Sequence, residues 1–493
     1  MKTFIDVMTE KDTYTANGAV TNSTSHNYNV DLFFLAGACR NETEQNIIDL
    51  LVKSYAYNKE KTLKIIFWAG DIRQGAGERR FFKLALSWLS KNHPEDIQNN
   101  LIWIPEFSRW DVIFDLAMEN EILFSFILAN LMDTGSKGHG LLCKWLPRKV
   151  YATDKMKKVT KLGNTETTLV KRSKRLLHGG IAGKIMQYTK WTPKQYRQVL
   201  VAGTKVVEQQ MCVKKWNEIE YSKVPSVAMN KYNKAWYRND EQRFTKYIED
   251  VKSGKSKINA AAIFPHDIIK HGLDTYRWGE RLNDAQVAQW NALPNYLGDK
   301  PNSMIPVCDV SGSMTGLPMQ ISISLGLYIS ERNVGPFKDA FFTFSSRPQL
   351  QYLHGDINDR IQQLENADWG ANTNLISVFQ IMLQKALDNH LDSELMPRTI
   401  LVISDMEFDD CAQLTNYETI QRAYKISGYE CPQVAFWNVN GRIKNVPITV
   451  NDKGVALISG ASPSIIKAVL TDNLNPVEVM NSVIESERYK DIK

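Results

Sequence analysis

The chain has 493 residues, which is enough for two or three domains with a sizeable core. Its 43% hydrophobic and 23% charged residues are typical of a soluble globular protein. The six cysteines form no Cys-x-x-Cys motif, which argues for a reducing compartment and against a structural zinc site. No run approaches the roughly 18 apolar residues of a membrane span, and the start lacks a signal-peptide core. We therefore expect a cytoplasmic protein with no membrane partner.

The net charge of +6 is distributed very unevenly along the chain. Residues 137–257 carry 28 lysines and arginines against 9 acids, a net charge of +19, whereas residues 1–136 carry −5 and residues 258–493 carry −8. A positive block of this size favours a polyanionic partner, and we expect nucleic acid. A solvated basic face that binds nothing is the alternative.

The first half of the chain is predicted to be helical. After an N-terminal extension over residues 1–26, apolar residues recur at helical spacing from about Asn27 to Leu131, with short joints between the runs. Thr43–Tyr57 and Arg79–Leu89 are two of these runs. The pattern predicts an all-α, HEAT-like helical-repeat module over residues 27–295, although no strict repeat period is visible.

A glycine-rich loop, Gly70–Arg80, lies between two of the predicted helices. It combines three glycines with three arginines at a helix N-terminus, where backbone N–H groups face anions. It is not a Walker A loop, since no Gly-Lys-Ser/Thr closes it. We expect its arginines to contact RNA, namely Arg73, Arg79 and Arg80. The structural alternative is that they pair with nearby acids, namely Asp71, Glu78 and Asp111.

The basic segment, residues 137–257, interleaves cations with aromatic residues. This composition suits single-stranded RNA, because bases stack on aromatic side chains while phosphates meet lysine and arginine. The run around Lys171–Arg175 is the best candidate for binding. The full set of candidate RNA-binding residues in this segment is Lys144, Arg148, Lys149, Lys171, Arg172, Lys174, Arg175, Lys184 and Lys190.

From about Asn302 to Ser459, apolar strands alternate with helical stretches. This alternation predicts an α/β domain with a doubly wound parallel sheet, over residues 300–470. Residues 471–493 are expected to form a C-terminal helix that packs on the helical module. The predicted strands are Ile305–Cys308, Ala340–Phe344, Leu350–Leu353, Thr399–Ser404, Gln433–Asn438 and Val455–Ile458.

Oxygen-bearing side chains cluster at the ends of these strands. Asp309, Ser311 and Ser313 follow the first strand at alternate positions, Thr373 precedes a helix, and Asp405 ends another strand. Ligands of such sheets sit beyond the carboxyl ends of the strands. A set of oxygen ligands without sulfur or imidazole favours Mg²⁺ or Mn²⁺ over zinc. A serine-rich turn that merely caps a helix is the alternative.

These residues also carry a family resemblance. The Asp-x-Ser-x-Ser motif, with the later threonine and aspartate, resembles the metal-ion-dependent adhesion site (MIDAS) of von Willebrand factor A domains. Gly70–Arg80 and Pro105–Asp111 are similar to the TROVE module of the Ro autoantigen family. The whole chain is similar to a Ro-like family of plants, fungi, large DNA viruses and phages that joins both parts. Further matching stretches are Lys144–Pro147, Val224–Met229, Ile258–His266, Ser404–Asp409 and Phe436–Asn438.

The resemblance implies a function. Ro-family helical modules close into a ring that holds single-stranded RNA ends in a basic hole and structured small RNA on the outer surface. It implies an RNA-binding scaffold of a ribonucleoprotein, with the A domain helping to close the ring. The alternative is a metal-dependent protein adaptor, since such A domains bind an acidic residue of a partner and several work beside a MoxR-type AAA+ ATPase. The +19 segment favours RNA. We expect no enzyme, because no nucleophile–base pair or phosphate loop is visible.

Overall fold

The computed structural model describes most of the chain, and the chain divides into two units. The first unit combines Met1–Phe82 with Glu220–Lys493, and the second is Lys83–Ile219. No helix in the described part of the chain is long and apolar enough to cross a membrane. The described residues are 13–15, 20–147, 156–161, 164–169, 179–204, 206–270, 281–299, 304–344, 348–365, 375–408, 417–441, 445–471 and 473–493.

The first unit begins with a short antiparallel pair, β1 (Thr13–Tyr14) and β2 (Val20–Thr21), followed by three helices. These helices are α1 (Tyr28–Ala36), α2 (Glu44–Tyr57) and α3 (Lys59–Gly70). Helix α1 has no exposed face, because every residue after its first is buried. Most of its residues are apolar, so neighbouring elements must cover it on all sides. Helices α2 and α3 therefore pack on it, as the C-terminal sheet does.

The second unit starts within α4, and its described residues form helices and one hairpin. Strands β3 (Met156–Lys161) and β4 (Asn164–Leu169) pair antiparallel, with Lys161 opposite Asn164. The prediction of an all-α module over residues 27–295 did not include this hairpin. The threonines of β4 are β-branched and favour the extended conformation. The helices are α4 (Arg79–Asn92), α5 (Pro94–Asn99), α6 (Trp103–Phe107), α7 (Glu121–Met132), α8 (His139–Trp145), α9 (Gly179–Thr189), α10 (Pro193–Gly203) and α11 (Val207–Cys212).

The chain returns to the first unit with four more helices and then a six-stranded sheet. The helices are α12 (Ser226–Lys231), α13 (Asn233–Lys252), α14 (Pro265–Ile269) and α15 (Asp284–Asn291). The strands are β5 (Met304–Asp309), β6 (Ala340–Phe344), β7 (Leu350–Tyr352), β8 (Thr399–Ser404), β9 (Gln433–Asn438) and β10 (Val455–Ser459). Between and after them lie α16 (Leu317–Arg332), α17 (Ile357–Glu365), α18 (Leu375–Asp388), α19 (Tyr417–Ile426) and α20 (Pro476–Ile484).

The sheet confirms the strands predicted from the sequence. Its order is β10-β9-β8-β5-β6-β7, with parallel pairing throughout except for the antiparallel edge strand β7. Strands β5, β8 and β10 are buried along their whole length. Continuous apolar runs are the mark of parallel strands covered on both faces. The result is a helical N-terminal region joined to a mixed α/β domain.

Helix α1 covers the edge strand β10. The Ser459 hydroxyl donates to the Phe33 carbonyl at 2.7 Å and accepts from the Gly37 backbone N–H at 3.1 Å. A Cβ at Gly37 would lie 2.7 Å from the Gly460 nitrogen, so only glycine allows this approach. The domain boundary predicted near residue 300 is therefore a change from helices to a sheet. It does not separate two independent cores, because α1 packs on β10 across it.

The segment after α20 is anchored to the glycine-rich loop through Asp71. This fully buried carboxylate accepts hydrogen bonds from the Arg488 guanidinium, from the Tyr489 hydroxyl at 2.9 Å and from the Arg73 backbone N–H at 2.9 Å. Helix α20 itself packs on α1, α3 and β10. The C-terminal segment thus contacts the N-terminal helices, where the sequence analysis expects it to pack.

We predict that Asp71→Ala lowers the free energy of unfolding by about 3 kcal/mol, because it leaves Arg488 without its buried partner. Urea unfolding, with Asp49→Ala on the exposed side of α2 as a control, measures the loss. A double-mutant cycle with Arg488→Ala should give a coupling above roughly 1 kcal/mol. A loss no larger than that of the control would contradict the proposed anchor.

Candidate metal centre and nucleic-acid interface

The sheet has a topological switch point between β5 and β8. The chain leaves β5 toward β6 on one side and later returns to β8 on the other. Cys308 of β5 lies opposite Ile403 of β8, so the carboxyl ends of the two strands are adjacent. Asp309 ends β5, and Asp405 directly follows β8. Both thus lie at carboxyl ends, although Asp309 is still part of its strand, and they flank the place where such sheets bind ligands.

Asp309 is held rigidly at this point. Its side chain is fully buried, and its Oδ1 accepts from the Ser311 backbone N–H at 2.9 Å. Its Oδ2 accepts from the Ser404 hydroxyl at 2.5 Å. The hydroxyl oxygens of Ser311 and Ser313 lie 3.1 Å apart. One carboxylate and two hydroxyls of the predicted set are therefore neighbours.

Asp405 brings a second carboxylate to the same place. It is 3% exposed, and its Oδ1 accepts from the Glu407 backbone N–H at 3.1 Å. Ser313 is exposed, so the cluster reaches the surface on that side. Thr373, the remaining predicted ligand, lies outside the described residues.

The electrostatics of the pair fit a cation. Burial, and after it the neighbouring charge of Asp405, raise the pKa of Asp309 to about 6, even though hydrogen bonds from Ser404 and Ser311 oppose the rise. Two carboxylates that share a buried site repel each other, and a bound cation would remove that cost. Within the described residues no three His, Cys, Asp or Glu side chains form a metal cluster. The donor set here is two carboxylates with hydroxyls, which suits a hard divalent cation.

Ser404 is a functional residue that the sequence analysis missed. Its hydroxyl donates to Asp309 and accepts from the Met406 backbone N–H at 3.0 Å, so it links the ends of β5 and β8. A serine as the last residue of an otherwise apolar strand, directly before Asp405, is the signal that could have found it.

Two of the predicted RNA-binding lysines have acidic partners within the second unit. The Lys144 ammonium lies 3.1 Å from Glu208, and Lys184 lies 2.6 Å from Glu121. Lys184 also donates to the Ala117 carbonyl at 3.0 Å. These ion pairs compete with phosphate contacts at both positions. Lys190 is exposed, and the others, Arg148, Lys149, Lys171, Arg172, Lys174 and Arg175, lie outside the described residues.

The glycine-rich loop is built into the first unit. Arg80 donates to the carbonyl of Cys39 at 3.0 Å, and the Gln74 carbonyl accepts from the Ser464 hydroxyl at 2.7 Å. Arg79 is exposed and Arg73 half-buried. These contacts give the loop a structural role, and RNA contact by its arginines stays a prediction.

The acids proposed as partners of the loop arginines all have other arginine partners. Asp71 binds Arg488, Glu78 lies 3.0 Å from Arg40, and Asp111 lies 2.7 Å from Arg109. The three acids are therefore paired with Arg488, Arg40 and Arg109, which the structural alternative did not name.

The fold and site define a class of protein: a helical region joined to a parallel α/β domain with paired carboxylates at its switch point. Residues 15–116 and 127–301 match the model of a family described as Domain of unknown function (DUF2828). Residues 303–492 match a second model, Domain of unknown function (DUF7788). Because the first match spans more than half of the chain, the chain belongs to the DUF2828 family.

The proteins similar to this chain include one from a virus and one from a bacterium. The "Uncharacterized protein L728" of Acanthamoeba polyphaga mimivirus is 27% identical over 524 residues, covering 96% of this chain and 87% of that protein. The crystal structure of the Deinococcus radiodurans RO (RSR) protein covers 92% of both chains, with a TM-score of 0.34 and 12% sequence identity.

We predict that Asp309 destabilises the metal-free protein as the pH rises. Its pKa is about 6 in the folded protein, against an ordinary value of 3.8, so the folded state holds the proton more tightly than the unfolded state. The free energy of unfolding should therefore fall between about pH 4 and pH 6 and stay lower above, by on the order of 1–3 kcal/mol.

Asp309→Asn should remove this dependence. In EDTA, the unfolding free energies of wild type and variant should diverge as the pH rises through this window, with the variant the more stable at neutral pH. Asp388→Asn, on the exposed end of α18, should follow the wild type. Parallel curves for wild type and Asp309→Asn would show that the carboxylate is not strained.

Proposed function

We propose that this protein is an RNA-binding scaffold whose α/β domain holds a divalent cation, and that it acts by binding rather than by catalysis. The observation that carries the RNA part is the charge segregation, +19 over residues 137–257 between flanks of −5 and −8. Phosphate neutralisation by lysine and arginine supplies most of the affinity of non-specific nucleic-acid binding. The resemblance of Gly70–Arg80 and Pro105–Asp111 to the TROVE module also supports RNA, held as single-stranded ends or structured small RNA.

The hairpin β3–β4 gives part of the basic segment a defined backbone. Lys157, Lys158 and Lys161 all belong to β3, and the register sets Thr168, Thr167 and Asn164 opposite them. Three lysines in one six-residue strand carry a high local charge density. A high local density of positive charge favours a partner with several negative charges, such as a phosphate backbone, over a single acidic side chain.

We propose that Asp309, Ser311, Ser313 and Asp405 hold one Mg²⁺ or Mn²⁺, some of them through water, with Thr373 as the further ligand implied by the MIDAS resemblance. The ion would supply positive charge that attracts an acidic residue of a protein partner or fixes a loop. No general base stands in the motif, which argues against activation of water. The exposure of Ser313 favours the second candidate function, a metal-dependent adaptor that works with a MoxR-type AAA+ ATPase.

We predict that changing Lys171, Arg172, Lys174 and Arg175 together to Gln weakens the binding of an oligouridylate by about tenfold or more. The plot of log affinity against log salt should also flatten, by roughly 0.7 for each phosphate that the variant no longer neutralises. Fluorescence anisotropy across a salt series measures both quantities.

The matched control removes the same four charges from exposed positions of the α/β domain: Lys338, Lys385, Lys425 and Lys453 to Gln. It should keep both the affinity and the slope of the wild type. If the two quadruple variants behave alike, the effect is one of net charge, and the basic segment is not the RNA surface.

For the cation, we predict one Mn²⁺ per chain in the wild type and none in Asp309→Ala, measured by electron paramagnetic resonance of unbound Mn²⁺. Asp388→Ala serves as the control and should bind the ion normally. RNA affinity should stay unchanged in Asp309→Ala, because the +19 segment lies elsewhere in the chain. Full Mn²⁺ affinity in Asp309→Ala would rule out this site.

A further inference from the structure

Helices α12 to α15 of the first unit surround a cavity of about 860 Å³, distinct from the cation site. The end of α12 and the start of α13 form one wall, and α14 and the start of α15 form the other. Its volume lies within the range of small-molecule pockets. Its lining joins cations, carboxamides, an aromatic ring and aliphatic side chains.

The cavity is positively charged. Its described lining holds one acid, Asp267, against four cations: Lys231, Lys234, Lys270 and Arg281. Lys270 lies 3.0 Å from Asp267, and Arg281 lies 3.0 Å from Asp359. Lys231 forms no ion pair within the described part of the chain, and its ammonium lies 4.9 Å from the centre of the Tyr232 ring. This excess of positive charge predicts an anionic ligand.

The Asn233 carboxamide lines the same cavity. Asn233 as a whole is only 7% exposed, and its side chain forms no hydrogen bond with any described residue. Its amide is not among the buried polar groups that lack a partner, so it is open to water or to a ligand in the cavity. The neighbouring carboxamides differ, since Asn230 donates to the Asp267 carbonyl at 2.9 Å and Gln286 accepts from the Asn283 backbone N–H at 3.1 Å.

The remaining lining can hold a flat apolar group. Tyr237 is half-buried and packs edge-on against Phe244, with ring centres 4.9 Å apart, which fixes its plane. Ile263, which is 5% exposed, lines the same cavity. A tyrosine ring and an aliphatic side chain in one cavity offer stacking and apolar contact for an aromatic base.

We propose that this cavity binds a nucleoside phosphate. Lys231 and Lys234 meet the phosphate, Tyr237 and Ile263 contact the base, and the Asn233 carboxamide bonds a polar edge of the base or sugar. The ligand could come from two sources, a free nucleotide or the terminal nucleotide of an RNA strand. Binding of an RNA terminus rests on the proposed function, whereas binding of a free nucleotide does not.

Isothermal titration calorimetry with AMP, GMP, CMP and UMP tests the site. At least one monophosphate should bind, and its nucleoside and inorganic phosphate should each bind at least about tenfold more weakly, since neither fills both halves of the cavity. Lys231→Gln/Lys234→Gln should weaken the monophosphate at least about tenfold. Asn233→Ala should weaken it with the charge unchanged. The control Lys246→Gln/Lys255→Gln removes two exposed lysines outside the cavity and should bind as the wild type does.

The proposal is overturned if none of the four monophosphates binds, or if the cavity variants bind them as well as the control does.

Competition with 5′-phosphorylated and 5′-hydroxyl oligonucleotides then identifies the source of the ligand. If the cavity holds RNA ends, the 5′-phosphorylated oligonucleotide displaces the bound nucleotide and the 5′-hydroxyl oligonucleotide does not. The quadruple Lys171–Arg175 variant should keep monophosphate binding. If this variant loses oligouridylate binding but keeps monophosphate binding, the basic segment and the cavity are separate binding sites. If the wild type binds nucleotide but not RNA, the proposed RNA-binding function is contradicted and the nucleotide site is not.

Discussion

Two carboxylates buried at adjacent strand ends are the constraint on which the α/β domain depends. The parallel pairing of β5 with β8 forces Asp309 and Asp405 together, and burial of the pair raises the pKa of Asp309. Serine hydroxyls and backbone N–H groups hold the oxygens in place. Two buried carboxylates repel each other and offer oxygen ligands, and this is why we propose that the arrangement binds a cation.

The two ends of the chain depend on each other through the first unit. Helix α1 is buried on all sides and closes the edge of the sheet at β10, while the Asp71 carboxylate fixes the segment after α20. Covering an edge strand with a helix also prevents pairing with another chain. The proposed cation site lies in a domain that packs against residues from the first hundred positions, whereas the most basic part of the chain belongs largely to the other unit.

The sheet was predictable because its strands are short, continuous apolar runs, and each predicted strand agrees with the structure to within one residue at either end. Asp309 and Asp405 followed from the rule that ligands lie at carboxyl ends. The cover that α1 gives to β10 was not predictable, since it joins residues more than 400 positions apart and leaves no local periodicity. Tertiary contacts likewise determine the role of Ser404 and the cavity around Asn233, so neither was predictable. The hairpin β3–β4 depends on a weak local strand preference within a sequence whose pattern is otherwise helical.

The central claim is that the positive charge of residues 137–257 exists to hold RNA. The most direct measurement is to irradiate cells that express the protein with ultraviolet light, purify it under denaturing conditions, and map the crosslinked nucleotides to peptides by mass spectrometry. The account predicts RNA adducts concentrated within residues 137–257, with ribonuclease-sensitive absorbance at 260 nm in the native preparation. A protein that carries no nucleic acid, or adducts confined to the α/β domain, would contradict it.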